Sequence, residues 1–205
     1  MGKVIDARMP DWRGMTAVIC ATGPSFKPFD LSLLSTSHRV IVVNNAWVTL
    51  PWADVLYACD YLWWRQYHDA VRKGFAGQRW TQDRSAAERW PDLCHVKHQA
   101  GEGLGLKMLN TNGNSGMGAI NLAYLFGARR ILLLGFDMKL GPNGERHYHP
   151  DHPKPLVQNQ VFEEWVHKGH KLAKDLKAAN CDVINCTLNS ALQCFPMSTI
   201  EKELA

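Results

Sequence analysis

The sequence predicts a single α/β domain built on a mainly parallel, doubly wound sheet flanked by helices. Three observations predict it. Five short apolar runs, most of them rich in β-branched residues, alternate with segments of helical periodicity. The first three runs each lead into polar residues, at the edge where such sheets bind ligands. The stretch from Asn114 to Met138 joins a helix, a glycine break and a strand, which is one unit of such a sheet.

The first strand is expected over Thr16–Cys20, followed by the loop Ala21-Thr22-Gly23-Pro24-Ser25. The second is expected over Arg39–Val43, ending at Asn44-Asn45, and the third over Val55–Cys59, ending at Asp60. Tyr61–Lys73 has helical character and stops at Gly74. Gln78–Gln99 has room for one or two short strands, and the glycine-rich Gly101–Gly113 reads as a loop. Asn114, Ser115 and Gly116 open a helix that closes at Gly127-Ala128, before an apolar strand over Arg130–Leu134. Residues 139–160 hold four prolines and three histidines without periodicity, which predicts a flexible functional loop. Phe162–Ala179 offers Phe162, Trp165, Val166, Leu172 and Leu176 as a helical stripe. A last strand over Asp182–Asn185 and a short helix over Asn189–Phe195 complete the chain.

At 205 residues the chain suits one domain, with no linker or internal repeat to divide it. Charged residues at 20% and apolar residues at 46% exclude a disordered class. No apolar run has the length of a membrane span, and the start lacks the order of a signal peptide, so a cytoplasmic location is expected. The six cysteines form no CxxC pair and read as buried, reduced thiols. A formal charge of +4 does not establish nucleic-acid binding and equally suits an anionic nucleotide. Trp47, Trp52, Trp63, Trp64 and Trp80 crowd one third of the chain, as core or as a stacking platform.

Gly23-Pro24-Ser25 permits close backbone approach and can aim amides and a hydroxyl at a phosphate, although the same turn serves shape alone. It has neither P-loop nor GxGxxG spacing. Asn44-Asn45 suits a base edge or ribose hydroxyl, and equally an ordinary Asx turn. Asn114 or Ser115 would cap the helix, whose N-terminus also favours an anion. The run His147-Tyr148-His149-Pro150-Asp151-His152 has no companion cluster to complete a zinc site. It fits a general base better, since a near-neutral histidine can take a proton from an attacking hydroxyl.

In this order the motifs resemble the small bacterial sialyltransferases (glycosyltransferase family 42) and related phage-encoded proteins. The matching positions are Gly23-Pro24-Ser25, Asn44-Asn45, Asn114-Ser115-Gly116, Gly135-Phe136-Asp137, His147 to His152, and Asn189-Ser190-Ala191-Leu192, over about 170 residues. The resemblance implies a Rossmann-like, GT-A-like variant fold without a DxD motif. It also implies a cytidine-monophosphate sugar as co-substrate, with no further cofactor and no metal.

The donor pocket is then expected at the carboxyl ends of the strands, lined by Gly23, Ser25, Asn44, Asn45, Ser115, Gly116 and Asp137. Pro24, Asp60, Asn114, Tyr148, Asn189 and Ser190 are expected beside it. Tyr148 is the one tyrosine beyond Tyr124, where the family has phosphate-binding tyrosines in an inserted lid. His152 is expected as the base, ahead of His149 and His147. The acceptor is left open among a glycan, a small molecule and a modified DNA base, as is a homo-oligomer; a phage-encoded protein would act in the host cytoplasm.

Two other classes share the Gly-Pro-Ser start or the pocket. One is a magnesium-dependent pyrophosphokinase of the 6-hydroxymethylpterin type, with Asp60 and Asp137 as metal ligands. The other is a nucleotide-binding phage accessory protein that has lost the chemistry.

Overall fold

The computed structural model describes residues 8–156 and 161–205. Residues 1–7 of the expected domain and 157–160 of the expected loop lie outside the described residues. Among those described, seven strands form one sheet: β1 (Thr16–Cys20), β2 (His38–Val43), β3 (Val55–Tyr57), β4 (Gln78–Thr81), β5 (Leu93–His95), β6 (Arg130–Leu134) and β7 (Asp182–Asn185). Their spatial order is β5-β4-β3-β2-β1-β6-β7, and every pairing is parallel. The chain runs outward from β1 to β5, then returns to lay β6 on the other side of β1. Thr16 therefore faces both His38 and Arg130 in register. The strand order reverses between β1 and β6, and a crevice opens outside the carboxyl ends of strands at such a point.

The apolar runs are continuous because the sheet is covered on both faces. Ala17, Ile19, Ile41, Val43, Tyr57, Ile131 and Leu133 pack beneath α3 (Ser115–Leu125) and α4 (Phe162–Ala178). Their neighbours Val18, Cys20, Val40, Val42, Leu56, Leu132 and Leu134 face α1 (Tyr61–Gly74) and the terminal α5 (Ile200–Leu204). This alternation is the period of two of a strand. Each large side chain so buried contributes about 1.5–3 kcal/mol. Helix α3 is buried on every side from Gly116 to Ala123, with Asn121 the one polar side chain among those residues, so it carries no solvent-facing polar stripe. Gly118 brings it close to the sheet, where a Cβ would lie 2.8 Å from the Tyr57 hydroxyl. None of the described helices is long and apolar enough to cross a membrane.

Several elements differ from expectation. The third strand stops at Tyr57, two residues early. Between β4 and β5 lies a short helix, α2 (Arg84–Arg89), whose N-cap Asp83 accepts the Ala86 N–H at 2.8 Å. Asn189–Phe195 forms turns and no helix. There Asn189 adopts a left-handed φ of 59°, and the Ser190 hydroxyl donates to Phe136 O and accepts from Leu192 N–H. Local side-chain bonds of this kind compete with helical ones. No disulfide joins the six cysteines among the described residues, and all but Cys194 are buried. Trp63, Trp64 and Trp80 are core, whereas Trp52 is exposed.

Candidate functional site

The loops leaving β1 and β6 touch at the switch point. Ala21 N–H donates to Leu134 O at 2.8 Å, and Gly23 N–H to Gly135 O at 2.9 Å. A Cβ on Gly23 would lie 2.0 Å from Asp137 Oδ2 and 2.4 Å from Gly135 O, so space alone demands glycine here. A cleft of about 320 Å³ opens at this crossing, within the range of small-molecule sites. Its wall includes Gly23, Pro24, Asn44, Asp60, Asn114, Ser115, Gly116, Asp137, His147 and His152. The ends of β1, β2, β3 and β6, the start of α3 and the histidine segment thus meet at one edge of the sheet.

Asn114 is the N-cap of α3: it is extended at φ −143°, and its Oδ1 accepts the Met117 N–H at 3.2 Å. The Ser115 hydroxyl is consequently free of capping and stands on the cleft wall with the Cys59 thiol, which donates to the Tyr57 hydroxyl at 3.2 Å and which burial pushes up to about 12. The helix dipole and the first free amides favour an anion at this end. The wall is continued by Thr111 and Gly113, from the glycine-rich segment. That segment is a loop, but one tied by buried asparagines. Asn121 Oδ1 accepts the Gly105 and Asn110 N–H groups at 2.8 and 2.9 Å, and Asn112 Oδ1 accepts Gly103 N–H at 2.6 Å.

Asp137 is 5% exposed. Its Oδ1 accepts the Ser25 N–H at 3.1 Å, while Oδ2 is buried without a partner among the described residues. Burial raises its carboxyl above the usual range. Burial, with the Asp83 carboxylate second, raises Asp60 as well. Among the described residues no three His, Cys, Asp or Glu side chains are arranged to hold a metal ion.

The imidazoles of His147, His149 and His152 form a triangle with ring centroids 4.9–5.4 Å apart. The segment that carries them is pinned by Tyr148, whose N–H donates to Thr22 O at 3.2 Å and whose ring packs on Phe26. Each histidine has a different anchor. His147 Nδ1 lies 3.3 Å from Thr22 Oγ1, His152 Nδ1 lies 3.0 Å from the Tyr67 hydroxyl, and His149 Nδ1 donates to Pro150 O at 2.7 Å. Burial lowers all three, most of all His147, which the neighbouring imidazoles help push down to about 4.

Six expected site residues stand outside the cleft wall. Ser25 is spent on Asp137. Asn45 Oδ1 accepts the Trp63 indole N–H at 3.0 Å, so of the pair Asn44-Asn45 it is Asn44, at a left-handed φ of 47°, that faces the cleft. The Tyr148 hydroxyl bonds Thr49 Oγ1 at 2.8 Å and donates to Asn45 O at 3.4 Å, outside the cleft wall. Ser190 is buried against Phe136 O, beside Asn189. His149 buries an Nε2 that has no partner among the described residues. Conversely, Thr22, Cys59, Trp63, Gln82, Arg146 and Trp165 line the cleft without having been singled out as site residues. Trp63 belonged to the tryptophan cluster, the one sequence signal that pointed toward it.

The lowered histidines make stability depend on pH. Their unfolded forms take up protons near 6.5, whereas the folded chain binds them only at lower pH. Folding stability is therefore expected to fall as pH drops from about 6.5 toward 4. Thermal melting of the wild type should show this slope, and His147→Gln should flatten it. An unchanged slope in the variant would show that His147 is not the group held neutral.

No family model and no curated relative matches the sequence. Solved structures do match the fold. The sialyltransferase CstII of Campylobacter jejuni, in complex with cytidine-5'-monophosphate, is similar with a TM-score of 0.62 at 15% identity, over 92% of this chain and 86% of that one. The monofunctional α-2,3-sialyltransferase Cst-I of the same organism gives 0.63 at 16% identity, over 95% and 84%. A Maf glycosyltransferase of Magnetospirillum magneticum gives 0.64 at 12% identity, over 99% of this chain but 36% of its own length. The chain thus has the α/β fold seen in small bacterial sialyltransferases, as its motif order suggested.

Proposed function

We propose that the chain is a glycosyltransferase that moves a sugar from a nucleotide donor, of the CMP-sugar type, to an acceptor hydroxyl without a metal ion. One observation carries this reading. The amide-rich start of α3, the Gly23 crossing, the buried Asp137 and two histidines share one cleft at the switch point. The α3 N-terminus would receive the donor phosphate, with the Ser115 hydroxyl beside it. Asp137 Oδ2, buried and without a partner among the described residues, would accept a hydrogen bond from a hydroxyl or amino group of the nucleotide. The fold neighbours include a sialyltransferase in complex with cytidine-5'-monophosphate, which supports the donor class.

His152 would act as general base, removing the acceptor proton as the hydroxyl attacks the anomeric carbon while the nucleoside monophosphate leaves with the bonding electrons. His149 is set back from the cleft, and His147 is held at about 4, a weak base for neutral pH. His152 lines the cleft and is anchored through Nδ1.

A thermal-shift panel of CMP, CDP, UMP, UDP, ATP and GDP, each with and without magnesium, tests the donor class. CMP is expected to stabilise the protein, with no requirement for magnesium. Stabilisation by ATP only with magnesium would favour a pyrophosphokinase using Asp60 and Asp137. Ser115→Ala should weaken CMP binding by about 1 kcal/mol, the scale of one hydrogen bond. Because Asn114 holds the cap, an unchanged affinity would remove Ser115 from the donor site.

A further inference from the structure

We propose that Tyr67 is the positioning residue of His152: its phenolic oxygen accepts the Nδ1 proton and leaves Nε2 as the basic nitrogen of the ring. The inference rests on His152 being the base of the proposed transfer. Tyr67 lies 85 positions before His152, on α1, and no sequence motif joins them. Its hydroxyl is 3.0 Å from Nδ1, and the two rings meet edge to face at 5.8 Å.

The tyrosine is itself held. Trp63, one helical turn earlier, packs on its ring at 5.1 Å, and the Trp63 indole N–H is fastened to Asn45 Oδ1 at 3.0 Å. A run of contacts therefore reaches from the end of β2 through α1 to the histidine segment. No partner of His152 Nε2 is found among the described residues, and the ring lines the cleft.

Which nitrogen of an imidazole carries the proton is set by the bond that the other makes. A hydroxyl can donate or accept, so the pair has two states. With Nδ1–H donating to the phenol, Nε2 keeps its lone pair for the acceptor hydroxyl. In the opposite state Nε2 would be protonated and unable to take a proton. With the Tyr67 oxygen as acceptor the first state holds, and His152 presents a basic Nε2. When His152 becomes an imidazolium during transfer, the same Nδ1–H bond becomes charge-assisted and strengthens.

The test is ring ¹⁵N NMR of histidine-labelled protein at neutral pH, on the wild type and on Tyr67→Phe, with His152→Gln to assign the signal. Tyr67→Phe keeps the ring and its contact with Trp63, so folding should be preserved. In the wild type the signal is expected to report a proton on Nδ1 of His152. In Tyr67→Phe that preference should be lost. Under CMP-sugar turnover the variant should lose roughly tenfold in kcat, on the scale of one hydrogen bond, with KM within about twofold. A wild-type His152 protonated on Nε2, or a tautomer unmoved by Tyr67→Phe, overturns the assignment. The NMR result stands without any turnover. Absence of transfer by the wild type with the expected tautomer would instead count against the transferase reading alone.

Discussion

Replacing His152 with alanine is expected to lower glycosyl transfer about 100-fold or more while leaving donor affinity within a few-fold. The base is needed only as the acceptor hydroxyl becomes a nucleophile, so its removal should fall on turnover and spare the bound donor. His152 suits that role because it combines access to the cleft with an anchored ring. His149→Ala, made in a ring set back from the cleft wall, should cost far less. Single-turnover rates with a CMP-sugar, alongside CMP titrations, separate the two quantities. Activity that requires magnesium and survives His152→Ala would overturn the mechanism and advance the pyrophosphokinase with Asp60 and Asp137.

Gly23→Ala is expected to destabilise the fold by about 1–3 kcal/mol and to weaken nucleotide binding together with it. The new methyl would stand 2.0 Å from Asp137 Oδ2 and 2.4 Å from the Gly135 carbonyl oxygen. Asp137 could rotate away, but Gly135 O belongs to the backbone and accepts the Gly23 N–H itself. Relief therefore requires the β1 and β6 loops to separate where the cleft begins. Gly135 has φ +72° and faces Ala21 O at 2.6 Å from an added Cβ, so it cannot give way by a simple local change. Urea unfolding and CMP thermal shift measure the two effects. A Gly23→Ala protein with the wild-type midpoint and the wild-type CMP shift would show that the loops part without cost.

The sequence by itself determined five of the seven described strands and the sheet edge at which the cleft opens. Runs such as Thr16–Cys20 and Arg130–Leu134 are apolar throughout because both their faces are buried, and that imprint is local to each segment. The polar and glycine residues after the strands marked Gly23, Asn44 and Asp137, and the small-residue turn that opens α3 marked Ser115; all four line the cleft. Where two neighbours were chemically alike, sequence could not choose between them. Asn45 rather than Asn44 is taken by Trp63, and His149 rather than His152 is turned from the cleft, through partners set by packing.

The helix expected at Asn189–Phe195 was lost for the same reason: Ser190 spends its hydroxyl on Phe136 O, 54 positions away. Tyr67 carried no signal at all, since its bond to His152 arises only once α1 and the histidine segment are laid against one sheet edge. Local composition encodes burial and turn geometry, which act over a few residues. The choice of hydrogen-bond partner belongs to the tertiary structure, because it depends on which distant groups the folded sheet brings within 3 Å of each other.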